Sequence, residues 1–275
     1  MEYKRILTIQ DISCVGQCSM TIALPILSAC GQETCILPAA VLSTHTGGFG
    51  KPAVCNLKDM IPAFWGHWHQ QNITFDAILV GYLGSIEAIR ETEKIIEAML
   101  DPGGKVIVDP AMADHGKLYS GFDESYAAAM RALCEKSDVM IPNITEAAMM
   151  TGMPFREELD EAYIQELFHK LGGRDVILTG VGFTSDETGV AVRSEGVVQF
   201  YHHGKVGKSY HGTGDIFASC FTGAWMSGKS MLEAVKIASD YTYQCIQTTY
   251  ASPAHWYGVK FEVVLPELIK MLHQG

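Results

Sequence analysis

No long apolar run, no basic block and no paired-cysteine motif occurs in this sequence of 275 residues. The longest nearly apolar stretch, Ala77 to Ile86, is far too short to span a bilayer. The opening MEYKRILTIQD has no long apolar segment and no A-x-A cleavage signal. The expectation is a cytoplasmic protein with no membrane partner. Lys and Arg number 20 against 31 Asp and Glu, a net charge of −11. The basic residues form no cluster, so nucleic acid is not an expected partner. A phosphate compound would have to be held by local devices: helix N-termini, a divalent metal, or one or two lysines. Eight cysteines stand at 14, 18, 30, 35, 55, 134, 220 and 245, and none form C-x-x-C. Cys14/Cys18 and Cys30/Cys35 lack the partners of a zinc ribbon or finger, and the expectation is reduced, mostly buried thiols. No G-x-G-x-x-G follows the first strand, which disfavours a Rossmann dehydrogenase. Charged residues reach only 19% while hydrophobic residues reach 48%, a balance that excludes disorder and coiled coil.

What is present is an alternation of β-rich and helical stretches. The pattern predicts strands at Arg5–Ile9, Thr34–Leu42, Ala77–Val80, Lys105–Val108, Val139–Ile141 and Val176–Leu178, then Gly189–Val192 and Val197–Tyr201. The first six are mostly continuous apolar runs, as strands covered on both faces require. Helices are predicted at Ser19–Ala29, Ser85–Met99, Glu124–Cys134, Thr145–Thr151 and Asp160–Lys170. Asp101-Pro102-Gly103-Gly104 terminates the second of these. After Lys229, residues Ala234, Ile237, Ala238, Tyr241 and Cys245 share one helical face, and a last helix covers about Glu262–His273. The alternation predicts an α/β fold, a mostly parallel sheet with helices on both sides. Val190–Tyr201, around Ser194-Glu195-Gly196, reads as a late antiparallel hairpin. With no repeat or linker visible, a single domain over 1–275 is expected.

In open α/β sheets ligands bind beyond the carboxyl ends of the strands. Asp11, Ser13 and Gly16 follow the first strand, and Ser43-Thr44-His45-Thr46-Gly47-Gly48 the second. Gly81-Tyr82 follow the third; Asp109-Pro110 and Asp114 follow the fourth. Pro142-Asn143 and Glu146 come after the fifth, and Thr179-Gly180 close the sixth. Loops are polar anyway, and Asp, Asn and Gly form turns. The strongest single motif is Gly212-Thr213-Gly214-Asp215 before IFASCFTGAW. Two glycines allow a tight turn, and the helix that follows would aim free N–H groups at an anion. Asp215 would repel a phosphate unless it accepts a proton from an attacking hydroxyl. The other reading is that Thr213 or Asp215 merely caps a buried helix.

Gly223 to Ser230 fits G-x-x-x-x-G-K-[ST], yet Trp225 and Met226 are poor material for a phosphate cradle. The simpler reading is that Gly228 ends one helix and Ser230 caps the next. His67, His69, His202, His203 and His211 are scattered and read as surface or packing residues, since a metal site needs a third ligand. Lys205 and Lys208 could touch phosphates or simply be solvated.

On the motifs ILTIQD, LSTHTG at 42–47, VGYLGS at 80–85, VDPAMAD at 108–114, IPNITEA at 141–147, LTG at 178–180 and HGTGDIFA at 211–218, the chain resembles the ribokinase-like superfamily. Within it, the chain resembles the pyridoxal (pyridoxamine) kinases, from Arg5 to about Tyr250. The resemblance implies a ribokinase-like three-layer α/β/α sandwich. It implies ATP as co-substrate, Mg²⁺ as its metal with a monovalent cation as a further candidate, a B6 vitamer as acceptor and a homodimer. It makes Asp215 the catalytic base and Gly212, Thr213 and Gly214 the anion hole. Asn143, Glu146 and Asp109 fall on the metal side, with Asp109, Asp114 and Thr179 near the nucleotide. Asp11, Ser13, Thr46, Tyr82 and Tyr119 fall to the acceptor, and about 114–126 to a mobile flap. Two departures stand out: Asp11 where such kinases often carry Ser, and Ile141 where they often carry Thr. The rival readings are a hydroxymethylpyrimidine kinase of thiamine metabolism, a sugar kinase, and a non-catalytic nucleotide or B6 sensor. The last gains nothing from a carboxylate beside phosphate, so Asp215 argues against it.

Overall fold

A computed structural model describes residues 3–273. In chain order the elements are β1 (Arg5–Ser13), α1 (Met20–Ala29), β2 (Glu33–Leu42), β3 (Val54–Asn56), α2 (Ile61–Gln70), β4 (Phe75–Val80), α3 (Ile86–Met99) and β5 (Leu100–Val108). Then come β6 (Ala113–Asp114), β7 (Lys117–Leu118), α4 (Glu124–Cys134), β8 (Val139–Met140), α5 (Ile144–Thr151), α6 (Glu161–Lys170), β9 (Asp175–Val181), β10 (Glu187–Ser194) and β11 (Val197–Gly204). The chain closes with α7 (Thr213–Met226), α8 (Met231–Tyr250), a 3-10 turn over Glu262–Val264 and α9 (Leu265–His273). Among the described residues no helix is long and apolar enough to cross a membrane.

The residues form two compact units. The first holds the described residues up to Lys105 and those from Val206 onward; the second is Val106–Lys205. In the first unit the strand order is β4-β1-β2-β3. β1 runs parallel to both β2 and β4. Strands on either side and buried side chains on both faces explain its continuous apolar run. β3 adds an antiparallel edge of three exposed residues. α7 is buried almost all round from Ile216 to Ala224 and lies against α1 and α8, which is why its sequence shows no polar stripe. In the second unit β5, β8 and β9 are parallel, and β10 and β11 add the antiparallel hairpin expected from the sequence. Glu195 (φ 51°) and Gly196 (φ 79°) form its two-residue turn, the left-handed pair that matches strand twist.

The parallel strands and the long helices lie where the sequence puts them. The differences have simple causes. α2 carries no predictive period, because among its residues only Ile61 is buried. β3, β6 and β7 have two or three residues each, too few for an alternation to register. α3 ends at Met99, but the chain turns extended already at Leu100 (φ −77°, ψ 131°), so Asp101-Pro102-Gly103-Gly104 lies inside β5 instead of stopping the helix, and β5 begins earlier than Lys105. The expected helix over 262–273 is split at Leu265 into a 3-10 turn and α9. All eight cysteines are free; Cys14 and Cys55 are exposed, Cys35 is half-buried, and the other five are buried.

Candidate active site

In the first unit the site residues collect at the carboxyl end of β1, which runs on through Asp11 to Ser13, after β2 and β4, and at the start of α7. Asp11 is 4% exposed, and its Oδ2 accepts a hydrogen bond from Ser13 Oγ at 3.1 Å. Burial pushes this carboxyl up from its ordinary range; the Ser19 and Ser13 hydroxyls partly oppose the rise. Gly212 is the N-cap of α7, in the left-handed region at φ 86°. A Cβ there would stand 2.6 Å from the carbonyl oxygen of Gln17. Only glycine meets both demands. Having no side chain, Gly212 offers the first amides of α7 no side-chain acceptor. Thr213 Oγ1 donates instead to the carbonyl of Tyr210 at 3.3 Å, so neither Thr213 nor Asp215 is the cap. Asp215 lies in the first turn, where the helix dipole favours a carboxylate.

Two features tie these residues together. The buried Cys18 thiol is pushed far up by desolvation, and the charges of Asp215 and then Asp11 push it further. Both acids therefore lie within electrostatic reach of one thiol. Tyr82, half-buried, is raised by burial and next by Asp11. Thr46 is exposed, beside His45. The His45 ring lies 4.9 Å from that of His211, and its Nδ1 accepts from the Gly47 amide at 3.0 Å. Burial lowers the His45 pKa, with His211 reinforcing it. The sequence motifs assign no role to Cys18, His45 or His211. Their signal was position alone: His211 immediately precedes the glycine turn, and His45 sits inside the loop after β2.

In the second unit Asn143 and Glu146 make a reciprocal cap on α5. Asn143 Oδ1 accepts from the Glu146 amide at 3.0 Å, and Glu146 Oε2 accepts from the Asn143 amide at 2.8 Å. Glu146 Oε1 also accepts from the Met112 amide at 2.9 Å, and Asn143 Nδ2 donates to the Ala113 carbonyl at 2.8 Å. The two residues thus clamp the segment after β5 onto α5. Asp109 Oδ1 accepts from the Ala111 amide at 3.2 Å. Desolvation raises the Asp109 carboxyl first, and the charge of Glu146 raises it further; Glu146 is raised by desolvation, with Asp114 adding to it. Thr179 joins Asn143 through a parallel bridge, its amide donating to the Pro142 carbonyl at 3.0 Å. Ile141, the second departure, is buried at 3%.

Asp114 is exposed and pairs with Lys117 in the β6–β7 hairpin. Gly116 N donates to Thr145 Oγ1 at 3.0 Å, tying the hairpin tip to α5. Tyr119 is 40% exposed. The end of the expected flap, residues 124–126, forms the first turn of α4, where buried Tyr126 stacks on Phe122 at 3.7 Å.

The P-loop-like segment is not a phosphate loop. Residues 223–226 end α7, Gly228 has φ 99°, and Ser230 caps α8 in a capping box with Glu233. Among the described residues no three His, Cys, Asp or Glu side chains converge to hold a metal by themselves. Asp109 and Glu146 supply hard carboxylate oxygens within reach of each other's charge, the donor type a divalent cation takes, while both Glu146 oxygens also accept from backbone amides. Mg²⁺ is commonly held by one or two carboxylates, with water and phosphate filling the remaining positions.

The family model for phosphomethylpyrimidine kinase matches residues 67–259. The crystal structure of pyridoxal kinase from Lactobacillus plantarum is similar at a TM-score of 0.90 and 32% identity, covering 98% of this chain and 97% of that one. The pyridoxine/pyridoxal/pyridoxamine kinase of Bordetella avium is 29% identical over 267 residues, 89% of this chain and 85% of that protein. The hydroxymethylpyrimidine/phosphomethylpyrimidine kinase of Bacillus subtilis is 29% identical over 176 residues, 63% of this chain and 64% of that protein. The fold is the ribokinase-like α/β fold, as the motifs implied.

Proposed function

This chain belongs to the phosphomethylpyrimidine kinase family, phosphotransferases with an alcohol group as acceptor, and on that premise we propose that it uses ATP to phosphorylate the 5′-hydroxymethyl group of a vitamin B6 vitamer. The observation that carries the choice of acceptor is the likeness to a pyridoxal kinase over almost the entire chain. A putative phosphomethylpyrimidine kinase from Bacteroides thetaiotaomicron, with a crystal form containing pyridoxal, is similar over 99% of this chain as well.

Asp215 serves as the base. A carboxylate is too weak to deprotonate a free alcohol, but in a loose transition state the hydroxyl turns acidic late, as the new P–O bond forms. Asp215 therefore holds the hydroxyl in line and receives its proton at the end. The amides of Gly212, Thr213 and Gly214, at the positive end of α7, take up charge on the transferring phosphoryl group. Asp11, Ser13, Thr46, Tyr82 and Tyr119 receive the acceptor ring; Asp109, Asp114, Asn143, Glu146 and Thr179 receive the nucleotide phosphates. Mg²⁺, bound directly or through water by Glu146, Asn143 and Asp109, would neutralise phosphate charge that these acids otherwise repel. The same reading makes 1–275 one kinase domain working in the cytoplasm as a homodimer, with a monovalent cation as an assistant to be tested by ion substitution.

A second reading, hydroxymethylpyrimidine kinase, is favoured by the matched family model and by the Bacillus subtilis relative. One experiment separates the two: ATP-dependent phosphorylation of pyridoxal, pyridoxamine, pyridoxine, hydroxymethylpyrimidine and ribose side by side. The B6 reading expects the highest kcat/KM on one of the first three. Turnover confined to hydroxymethylpyrimidine would replace it with the second reading.

A further inference from the structure

The loop after β2 is closed at its neck and lightly held at its tip. At the neck Ser43 N donates to the Ala53 carbonyl at 2.9 Å, and Ala53 N donates to Ser43 Oγ at 3.0 Å. The His45 amide donates to the Val15 carbonyl at 2.7 Å. Among the described residues no backbone hydrogen bond joins positions 46–51 to another segment. Gly47, Gly48 and Gly50 leave this backbone soft, and Gly48 (φ 84°) and Gly50 (φ 78°) stand in the left-handed region on either side of Phe49.

What holds the tip is aromatic. The Phe49 ring centroid lies 4.7 Å from that of Trp256 and 5.2 Å from that of Tyr257. The Trp256 ring also lies on Gly48, where a Cβ would stand 2.9 Å from Trp256 Cζ3. The segment that carries these two rings is itself fixed. Val259 and Phe261 are buried, Lys260 N donates to Thr249 Oγ1 on α8 at 2.9 Å, and Gln17 Nε2 donates to the Glu262 carboxylate. Trp256 is 53% exposed, so its ring adds little to the core. It is instead laid on a loop tip that no backbone hydrogen bond secures. We propose that Trp256 is a positioning residue for the acceptor: it clamps Gly48 and Phe49 and thereby fixes the loop that carries Thr46. This rests on the B6 reading above, which assigns Thr46 to the acceptor, and deepens it. The apparent affinity for the acceptor then falls with the clamped fraction of the loop.

The test follows pyridoxine phosphorylation by wild type, Trp256→Ala, Trp256→Phe, Phe49→Ala and the double variant Trp256→Ala/Phe49→Ala. Loss of one aromatic pair corresponds to about a 2- to 12-fold shift in an equilibrium, so each alanine variant should raise KM for pyridoxine by about that factor. Values of kcat and of KM for ATP should stay within about twofold of wild type. Trp256→Phe keeps a ring against Phe49 and should recover most of the loss. The double variant should be no worse than the poorer single one, because both substitutions remove the same contact. An unchanged KM, a fall in kcat as large as the rise in KM, or losses that multiply in the double variant would overturn the inference. Chymotrypsin gives a readout that needs no activity. It cuts after Phe49, and native Trp256→Ala should be nicked there faster than wild type. Unchanged nicking overturns the clamp and leaves the B6 reading standing. Absence of pyridoxine turnover by wild type overturns the B6 reading, and the acceptor role of Trp256 with it, even where nicking is faster. Should Trp256→Ala not fold, Phe49→Ala removes the same contact from the other side, and its KM decides.

Discussion

Replacing Gly212 with Ala tests whether backbone geometry at the start of α7 is as constrained as it looks. The residue has φ 86°, where an L side chain costs about 1–2 kcal/mol. Alanine's smaller freedom in the unfolded chain offsets about 0.4–1 kcal/mol of that. A second cost comes from contact. The new Cβ would lie 2.6 Å from the Gln17 carbonyl oxygen and 2.8 Å from Ile22 Cδ1. The Ile22 methyl can rotate aside, but the Gln17 oxygen moves only with its backbone, and overpacking of this kind costs about 1–3 kcal/mol. Gly50 supplies the control: its φ is 78°, and nothing stands within 4 Å of a Cβ built there. Gly50→Ala shares the conformational contributions and lacks the contact. The two variants should therefore differ by about 1–3 kcal/mol, roughly 2–12 °C in Tm for a chain of this size. Parallel thermal unfolding followed by circular dichroism measures the gap. Indistinguishable Tm values for the two variants would refute the argument that Gly212 is held by contact as well as by φ.

Further expectations concern chemistry and pH. Asp215→Asn should lower kcat by about 10²–10⁴ while leaving the KM for ATP nearly unchanged, and a near-normal kcat in steady-state assays would remove Asp215 from its role. Excess chelator should abolish turnover and added Mg²⁺ restore it; undiminished activity in chelator would contradict the metal assignment. Glu146→Ala strips acceptors from the amides of Met112 and Asn143, so denaturant titration should show a loss of about 2–4 kcal/mol, with Glu146→Gln recovering part of it. Equal losses in the two variants would mean the carboxylate's charge, and not its acceptor geometry, is what the clamp needs. Burial raises the thiols of Cys18, Cys30, Cys134, Cys220 and Cys245 above their ordinary value, Cys30 and Cys245 to about 12. Below that ordinary value folded and unfolded chains both carry them protonated, so they add no pH slope. Above it only the unfolded chain loses these protons, and stability falls as pH rises. The slope approaches about 1.4 kcal/mol per pH unit for each thiol. Unfolding titrations at pH 8, 9 and 10 measure it, and a flat stability profile would show the thiols to be less buried than described.

Much of this protein is legible from residue order because the relevant forces are local or periodic. Continuous apolar runs mark the buried strands β1 and β4 and the buried end of β5. Ser85 before an amphipathic stretch marked the start of α3, where its side chain accepts from the Ala88 amide at 3.1 Å. Polar residues following each strand marked the edge at which ligands bind. The same local reasoning separated the segment around Gly228 from a true phosphate loop. Asn143 and Glu146 stand out by their place after the fifth strand; that they cap α5 and clamp residues 112 and 113 does not, since the clamp links positions some 30 residues apart. Nor could residue order tell that Cys18 shares its surroundings with Asp11 and Asp215, or that His45 and His211 lie ring to ring. Burial and charge proximity between distant segments are properties of the folded chain alone. The type of element is set by neighbours along the backbone, while the electrostatic character of a site is set by whatever the fold brings beside it and by how much water it excludes.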